Sequence, residues 1–243
     1  MVTASHPGED HMSSITIQAT DGTGSFAAYL LEPKTKPAGV VVLIQEVFGV
    51  NQAMRDIAAW VADLGFIAVC PDLFWRIEPG VDITDKSEAE WKKAFELFGK
   101  FDQAKGIEDL KATVAVARTL PGANGKVATM GYCLGGRLAF MMAEQSDADA
   151  NISYYGVGLD NLLDDLAKVT KPLIVHVADK DEFFPPEGRA KVVAATQGHP
   201  HIACHVYANA DHAFARVGGI HWDGRSAAIA NGRSTETLVA ALG

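Results

Sequence analysis

Residues 39–44 read Gly-Val-Val-Val-Leu-Ile, an apolar run without a polar side chain on either face. A strand with one face in water alternates apolar and polar residues, so a continuous β-branched run predicts a strand that is buried on both faces. Burial on both faces requires a layer of structure above and below the sheet. This run therefore favours a layered α/β domain.

The rest of the chain repeats this pattern of short apolar runs separated by amphipathic segments. Further strands are predicted at residues 66–70, 127–132, 152–155, 173–177 and 201–207. Helices are predicted after Asn51 and Ser87 as N-caps and at residues 107–120, 135–145, 162–169, 186–196 and 225–242. Residues 15–20 and 26–32 flank a glycine-containing turn and predict an antiparallel hairpin at the sheet edge. The pattern predicts an α/β fold with a mainly parallel central sheet, helices on both faces and this N-terminal edge hairpin.

The chain shows neither an internal repeat nor a composition shift that would mark a linker. With 243 residues it is within the range of one large α/β domain, which we expect to span residues 14–243. Residues 1–13 are expected to be a disordered leader or a tag remnant, since they lack the basic and apolar regions of a signal peptide.

Charge and composition exclude several classes of partner. The net charge of −9 argues against nucleic acid and against an anionic membrane surface, because both repel an acidic protein. No apolar run approaches the roughly 20 residues that span a bilayer. The three cysteines, Cys70, Cys133 and Cys204, have no metal-binding spacing and predict reduced thiols in a cytoplasmic protein. No cofactor or metal is expected.

Cys133 lies in the sequence Met-Gly-Tyr-Cys-Leu-Gly-Gly, directly after the predicted strand at residues 127–132. The frame Gly-x-Cys-x-Gly matches the strand-to-helix turn at which α/β hydrolases place a nucleophilic serine. Glycines on both sides let neighbouring backbone pass closely, and the N-terminus of the next helix favours a thiolate. The backbone N–H of Leu134 would face a developing oxyanion. The alternative is a buried structural cysteine beside glycines that pack a helix.

A thiol nucleophile needs a base and a group that orients the base. His212 follows the predicted strand at residues 201–207, and Asp181 follows the strand at 173–177, in the chain order of α/β hydrolases. Asp179 is the alternative acid, but it fits a turn residue that satisfies backbone donors. His176 lies within a strand and is expected in the core.

Five motifs in this order resemble the dienelactone hydrolase family, cysteine members of the α/β-hydrolase superfamily. They are QEVFG at residues 45–49, CPDLF at 70–74, GYCLGG at 131–136, ADKDEFFP at 178–185 and DHAFAR at 211–216. The resemblance extends from about residue 15 to the C-terminus and implies an α/β-hydrolase fold. It also implies a catalytic triad of Cys133, Asp181 and His212.

The same resemblance implies roles for four further residues. Glu46 would pair with the thiol, the N–H groups of Val47 and Leu134 would form the oxyanion hole, and Arg216 would hold a substrate carboxylate. An anionic Glu46 beside Cys133 would oppose thiolate formation, because like charges repel in a partly desolvated site. We therefore expect a resting thiol that loses its proton to Glu46 only when substrate arrives.

The helix after the CPDLF segment departs from the family pattern. Where members that act on dienelactone carry an arginine and a tyrosine, an ungapped alignment places Trp91 and Phe95. Lys92 and Lys93 are adjacent but would face elsewhere on a helix. Trp91 and Phe95 are expected to bind substrate in a more apolar pocket, with an ordinary core position as the alternative for Phe95.

These observations leave three functions open. The first is a hydrolase that cleaves a lactone or activated ester, of the dienelactone-to-maleylacetate type, through an ester of Cys133. The second is a broader carboxylesterase for small esters, and the third is a thiol redox sensor without catalysis. The expected partner is a small lactone or ester, and the protein is expected to be a monomer or a weak homo-oligomer.

Overall fold

The structure, a computed structural model, describes residues 13–243 and contains one eight-stranded sheet. The strands are β1 Ser13–Gln18, β2 Ser25–Leu31, β3 Ala38–Ile44, β4 Ile67–Pro71, β5 Ala123–Tyr132, β6 Ala150–Tyr154, β7 Leu173–Ala178 and β8 Ile202–Tyr207. The expected leader lies outside the described residues except for Ser13, which already belongs to β1.

The strand order is β1-β2-β4-β3-β5-β6-β7-β8. β1 pairs with β2 and β2 pairs with β4 in antiparallel fashion, whereas the pairs from β4 through β8 are parallel. The predicted mainly parallel sheet with an antiparallel N-terminal hairpin at its edge is therefore confirmed. Because β3 lies between β4 and β5, its carboxyl end is near the middle of the sheet, where ligand sites form in such folds.

In the described part of the chain, six α-helices cover the sheet: α1 Gln52–Asp63, α2 Glu88–Lys100, α3 Gln103–Arg118, α4 Leu134–Gln145, α5 Pro186–Thr196 and α6 Gly224–Leu242. The apolar run of β3 divides between two cores. Val40, Val42 and Ile44 pack into a cluster with residues of α2, α3 and α4, and Val41 and Leu43 pack into a second cluster with residues of α1 and α6. Alternate side chains thus contact helices on opposite faces, as the sequence predicts. Among residues 13–243, no helix is long and apolar enough to cross a bilayer.

Two predicted helices differ from the expectation. α3 begins at Gln103, about one turn earlier than predicted, because the side chain of Asp102 caps it by accepting from Lys105 N–H at 3.1 Å. Residues 162–169 do not form an α-helix; they contain the 3₁₀ segment Leu163–Lys168, which follows a shorter one at Leu159–Asn161. Asn51 and Ser87 cap α1 and α2 as predicted.

The start of α4 crosses the ends of the central strands at very close range. A Cβ atom on Gly135 would lie 2.1 Å from the carbonyl oxygen of Ile44, and a Cβ on Gly131 would lie 1.9 Å from the carbonyl oxygen of Gly135. Gly131 is paired with Ile44 across β5 and β3. Only glycine permits this contact between backbones, so the two residues fix where α4 begins.

We expect Gly135→Ala to lower the free energy of unfolding by at least about 2 kcal/mol, because the added methyl group overlaps backbone that cannot rotate away. Urea denaturation measures the change. Gly99→Ala is the matched control, since no atom lies within 4 Å of a Cβ at this position in α2. It should stabilise the protein by about 0.5–1 kcal/mol. Equal effects of the two substitutions would contradict the close approach.

Candidate active site

Cys133 occupies a strained turn between β5 and α4. Its backbone has φ 55° and ψ −114°, a conformation that side-chain-bearing residues rarely adopt and that costs on the order of 1–3 kcal/mol. The turn is supported by hydrogen bonds from Cys133 N–H to the carbonyl of Tyr154 and from Arg137 N–H to the carbonyl of Cys133, both 3.1 Å. Strand, strained turn and helix occur where the nucleophile turn of an α/β hydrolase requires them.

Two backbone N–H groups near this turn are unused. Leu134 is the first residue of α4, and Val47 follows the end of β3. Within residues 13–243, neither N–H donates to a backbone carbonyl. Unpaired N–H groups at a helix N-terminus and an adjacent strand end are the donors that an oxyanion requires.

His212 and Asp181 meet at the carboxyl ends of β7 and β8. His212 Nδ1 is 2.7 Å from Asp181 Oδ2, and both residues are buried. The other carboxylate oxygen, Oδ1, accepts from Phe183 N–H at 2.9 Å. The imidazole packs against the rings of Phe183 and Tyr155, with centroid distances of 4.9 and 5.2 Å. The histidine is therefore fixed in one orientation, with Nδ1 engaged and Nε2 left for a proton transfer.

The electrostatic surroundings favour a protonated His212. Burial disfavours the imidazolium, but a negative charge on Cys133 and the hydrogen bond to Asp181 outweigh it and raise the pKa of His212 to about 10. This shift requires Cys133 to lie close to the imidazole, and both residues line one cavity. Cys133 and His212 thus line the same cavity, and Asp181 is hydrogen-bonded to the histidine.

Asp179 and His176, the other acid and the other histidine near these strand ends, make different contacts. The side chain of Asp179 is exposed to solvent. His176 is buried in a separate polar network, with Nδ1 2.8 Å from the Tyr207 hydroxyl and Nε2 3.0 Å from Ser234 Oγ. Burial lowers the pKa of His176, so its imidazole is neutral. Asp179 is therefore directed to solvent, and both ring nitrogens of His176 are engaged away from the thiol of Cys133.

Glu46 does not pair with the thiol as predicted. Both of its carboxylate oxygens accept from Arg216, with Arg216 Nε 2.7 Å from Glu46 Oε2 and Nη2 2.9 Å from Oε1. This two-pronged geometry is the strongest form of an arginine–carboxylate pair, and both residues are buried. The expectation fails because a guanidinium from the far end of the chain lies against Glu46 and takes both acceptors.

Arg216 also contacts a second carboxylate, which the sequence did not indicate. Its Nη1 donates to Asp85 Oδ2 at 2.5 Å, and its guanidinium carbon lies 5.0 Å from the centre of the Phe48 ring. The neighbouring carboxylates overcome the effect of burial and raise the pKa of Arg216. Glu46, Arg216 and Asp85 form a buried ion-pair network beside Cys133.

A cavity of about 180 Å³ opens onto Cys133, and most of its lining is apolar or aromatic. Trp91 and Phe95, predicted to bind substrate, both line it, and Phe95 is 53% exposed and not part of the core. Their rings stack with centroids 5.5 Å apart. The other lining residues are Val47, Phe48, Phe98, Val157, Phe183, His212 and Arg216.

Sequence reasoning missed part of this lining. Phe98 is 42% exposed at the rim, and its position one turn after Phe95 on the face of α2 is the signal that could have found it. Phe48 and Phe183 lie within motifs of the family resemblance and could have been chosen on that ground. Asp85 gave no local signal, because it is 131 residues from Arg216.

The sheet order, the strained nucleophile turn and the loops after β7 and β8 define an α/β hydrolase. The profile described as "Dienelactone hydrolase family" matches residues 26–242, and the chain belongs to that family. It is a carboxylic ester hydrolase.

Named relatives cover nearly the whole chain. A protein of Azospirillum brasilense, provisionally named carboxymethylenebutenolidase, is 50% identical over 96% of this chain and 100% of its own. The carboxymethylenebutenolidase of Pseudomonas putida is 39% identical over 92% of this chain and 94% of its own. A solved structure of a provisionally named dienelactone hydrolase from Klebsiella pneumoniae subsp. pneumoniae has the same fold, with a TM-score of 0.81, 23% identity and coverage of 95% and 99%.

Asp181→Asn should lower the pKa of His212 below about 10 and reduce kcat/KM, because it removes the negative charge that stabilises the imidazolium. An NMR titration of the imidazole and steady-state kinetics measure the two effects. Asp179→Asn is the matched control, since it removes an equal charge from an exposed position two residues away. If both substitutions shift the titration of His212 equally, Asp181 is not its partner.

The raised pKa also has a consequence for stability. A group with a raised pKa contributes stability that is present in full below its ordinary pKa of about 6.5 and is lost as the pH rises through the raised value. The free energy of unfolding of the wild type should therefore fall between pH 7 and 10. Asp181→Asn should reduce this fall.

Proposed function

We propose that the protein hydrolyses a lactone or activated ester through a thioester formed on Cys133. The observation that carries the proposal is that Cys133 and His212 line one cavity while Asp181 holds the histidine by a 2.7 Å hydrogen bond. A nucleophile, a base and a group that orients the base are the components of covalent acyl transfer.

In the free enzyme the proton of the Cys133 thiol has passed to His212 Nε2, and the first half of the reaction begins from this ion pair. The sulfur attacks the carbonyl carbon, and the carbonyl oxygen becomes an anion that the N–H groups of Val47 and Leu134 stabilise. The intermediate then collapses, the ester carbon–oxygen bond breaks, and the leaving oxygen takes the proton from His212. The acyl group remains on Cys133 as a thioester.

In the second half, His212 removes a proton from a water molecule, and the resulting hydroxide attacks the thioester carbonyl. The carbon–sulfur bond breaks, and the carboxylic acid leaves the cavity. Asp181 keeps the imidazole oriented in both halves and stabilises its charged form. Sulfur suits this cycle because a thiolate is a strong nucleophile toward esters with good leaving groups.

We assign the thiol proton to His212 and not to Glu46. Arg216 donates to both oxygens of Glu46 and compensates its charge, so this carboxylate opposes a thiolate only weakly and is a poorer proton acceptor than a free one. Glu46 then acts as a positioning residue that fixes Arg216 at the cavity wall.

The substrate class follows from the relatives and the size of the cavity. Their printed names assign them activity on a carboxymethylenebutenolide, and a cavity of about 180 Å³ fits a small ring. We propose a small unsaturated lactone or an ester with a good leaving group as substrate. The cysteines are unpaired, and we infer a reducing compartment such as the cytoplasm as its location.

Cys133→Ala should abolish hydrolysis of a chromogenic aryl acetate and of dienelactone, while the fold is kept. Cys133→Ser should be much less active than the wild type, because the neutral hydroxyl is a weaker nucleophile in a site arranged for sulfur. Mass spectrometry after rapid acid quenching should find the acyl group on Cys133.

Cys204→Ala is the control, since Cys204 lies in β8 and does not line the cavity. It should retain wild-type activity. Full activity of Cys133→Ala, or an acyl group on another residue, would rule out the thioester mechanism.

A further inference from the structure

The Glu46–Arg216–Asp85 network contains two carboxylates and one guanidinium, all buried. Three N–H groups of Arg216 donate to the carboxylates, two to Glu46 and one to Asp85. The single guanidinium is therefore shared between two acidic side chains at the wall of the cavity. Glu46 alone would leave Nη1 of Arg216 without a carboxylate, and Asp85 takes that donor.

Asp85 is held firmly in this position. Its backbone carbonyl accepts from the indole Nε1 of Trp91 at 3.0 Å, so one residue contacts both the arginine and the aromatic wall. Ile83, two residues before Asp85, is hydrogen-bonded to the segment that follows β3. Its N–H donates to the Phe48 carbonyl at 3.2 Å, and its carbonyl accepts from Asn51 Nδ2 at 2.8 Å. Release of Arg216 from Asp85 would require this loop to move.

Apart from the imidazole of His212, Arg216 is the one cationic side chain that lines the cavity within residues 13–243. Its polar lining consists of Cys133, His212 and Arg216. Lys93, on the same helix as Trp91, pairs with Glu78 outside the cavity. An incoming carboxylate would have to displace a buried acidic side chain from Arg216 and leave that side chain without its partner, which is unfavourable.

The rest of the lining favours a flat apolar ligand. Trp91, Phe95 and Phe183 present rings that stack with interplanar angles of 28° and 26°. A cavity of about 150 Å³ is large enough for benzene, so the 180 Å³ here accommodates about one unsaturated ring. A neutral planar ring loses little on leaving water and gains contact with these aromatic faces.

We propose that Asp85 is a specificity-determining residue that makes the enzyme select neutral, planar esters or lactones over carboxylate-bearing ones. The inference rests on the proposed function. Asp85 acts by neutralising Arg216 together with Glu46, and Arg216 thereby loses the role, expected from the family resemblance, of holding a substrate carboxylate. The arginine remains as a structural cation that joins the loop carrying Asp85 to the end of β3.

The test uses dienelactone and its methyl ester, which share one ring and differ in one negative charge. Lactone opening is followed by chromatography for the wild type, Asp85→Asn and Asp82→Asn. Asp82 is the matched control, because it lies in the same loop as Asp85 but pairs with a different arginine. Its carboxylate is 2.8 Å from Arg55, and its side chain is half exposed. Asn at position 85 keeps a hydrogen-bond acceptor for Arg216 but removes the charge.

We expect the wild type to open the methyl ester with a kcat/KM at least about tenfold above that for the acid, the discrimination that one charge-assisted hydrogen bond supplies. Asp85→Asn should move the ratio toward the acid by at least about tenfold. Asp82→Asn should leave the ratio unchanged.

Three results would overturn the inference while hydrolysis by Cys133 remains intact. One is a wild type with a higher kcat/KM for the acid than for the methyl ester. This comparison needs no variant, so it decides the question even if Asp85→Asn fails to fold. The others are a ratio that Asp85→Asn does not change and a ratio that both variants change equally. A wild type that hydrolyses neither compound nor a chromogenic aryl acetate refutes the proposed function itself, and the inference falls with it.

Discussion

The contact between the first turn of α4 and the end of β3 is the constraint on which the site depends. Gly135 lies so close to the carbonyl of Ile44 that no side chain fits between them. This contact holds Cys133 in a conformation with positive φ and brings Leu134 N–H near the segment that contains Glu46 and Val47. Cys133, the unused N–H donors and the neighbouring acid thus owe their common location to backbone packing, and not to interactions among their own side chains.

Buried charge decides how the remaining residues are used. A charged side chain away from water is tolerated only with a partner, and the two ionic groups of this site satisfy that requirement in different ways. Asp181 pairs with His212 and leaves one imidazole nitrogen free for chemistry. Arg216 pairs with two carboxylates, and these contacts remove its charge from the reaction. The same physical requirement yields one reactive group and one structural group.

The sequence predicts the features that local patterning determines. The buried run at residues 39–44, the caps Asn51 and Ser87 and the glycine-flanked turn at Cys133 depend on neighbouring residues, and each occurs where expected. The start of α3 is an exception, because the cap at Asp102 places it about one turn before the predicted residue 107.

Contacts between distant segments could not be predicted in the same way. Glu46 and Arg216 are 170 residues apart, and only the folded chain shows that the guanidinium takes both oxygens of Glu46. Asp85 lies in an irregular segment whose path depends on the neighbouring loop at Gly49, where a Cβ would lie 1.9 Å from the Val81 carbonyl oxygen. For this reason the sequence did not indicate that Glu46 pairs with Arg216 in place of the thiol, and the substrate-gated role of Glu46 stays a prediction.

The central claim is that His212 activates Cys133 in the free enzyme, because Arg216 has already compensated Glu46. The direct measurement is the rate of alkylation of Cys133 by iodoacetamide at pH 7 without substrate, in the wild type, His212→Gln and Glu46→Gln. The account predicts rapid alkylation of the wild type, a loss of at least about tenfold in His212→Gln, and a change of less than about tenfold in Glu46→Gln. Slow alkylation of the wild type that becomes much faster in Glu46→Gln would contradict it, since Glu46 would then be suppressing the thiolate.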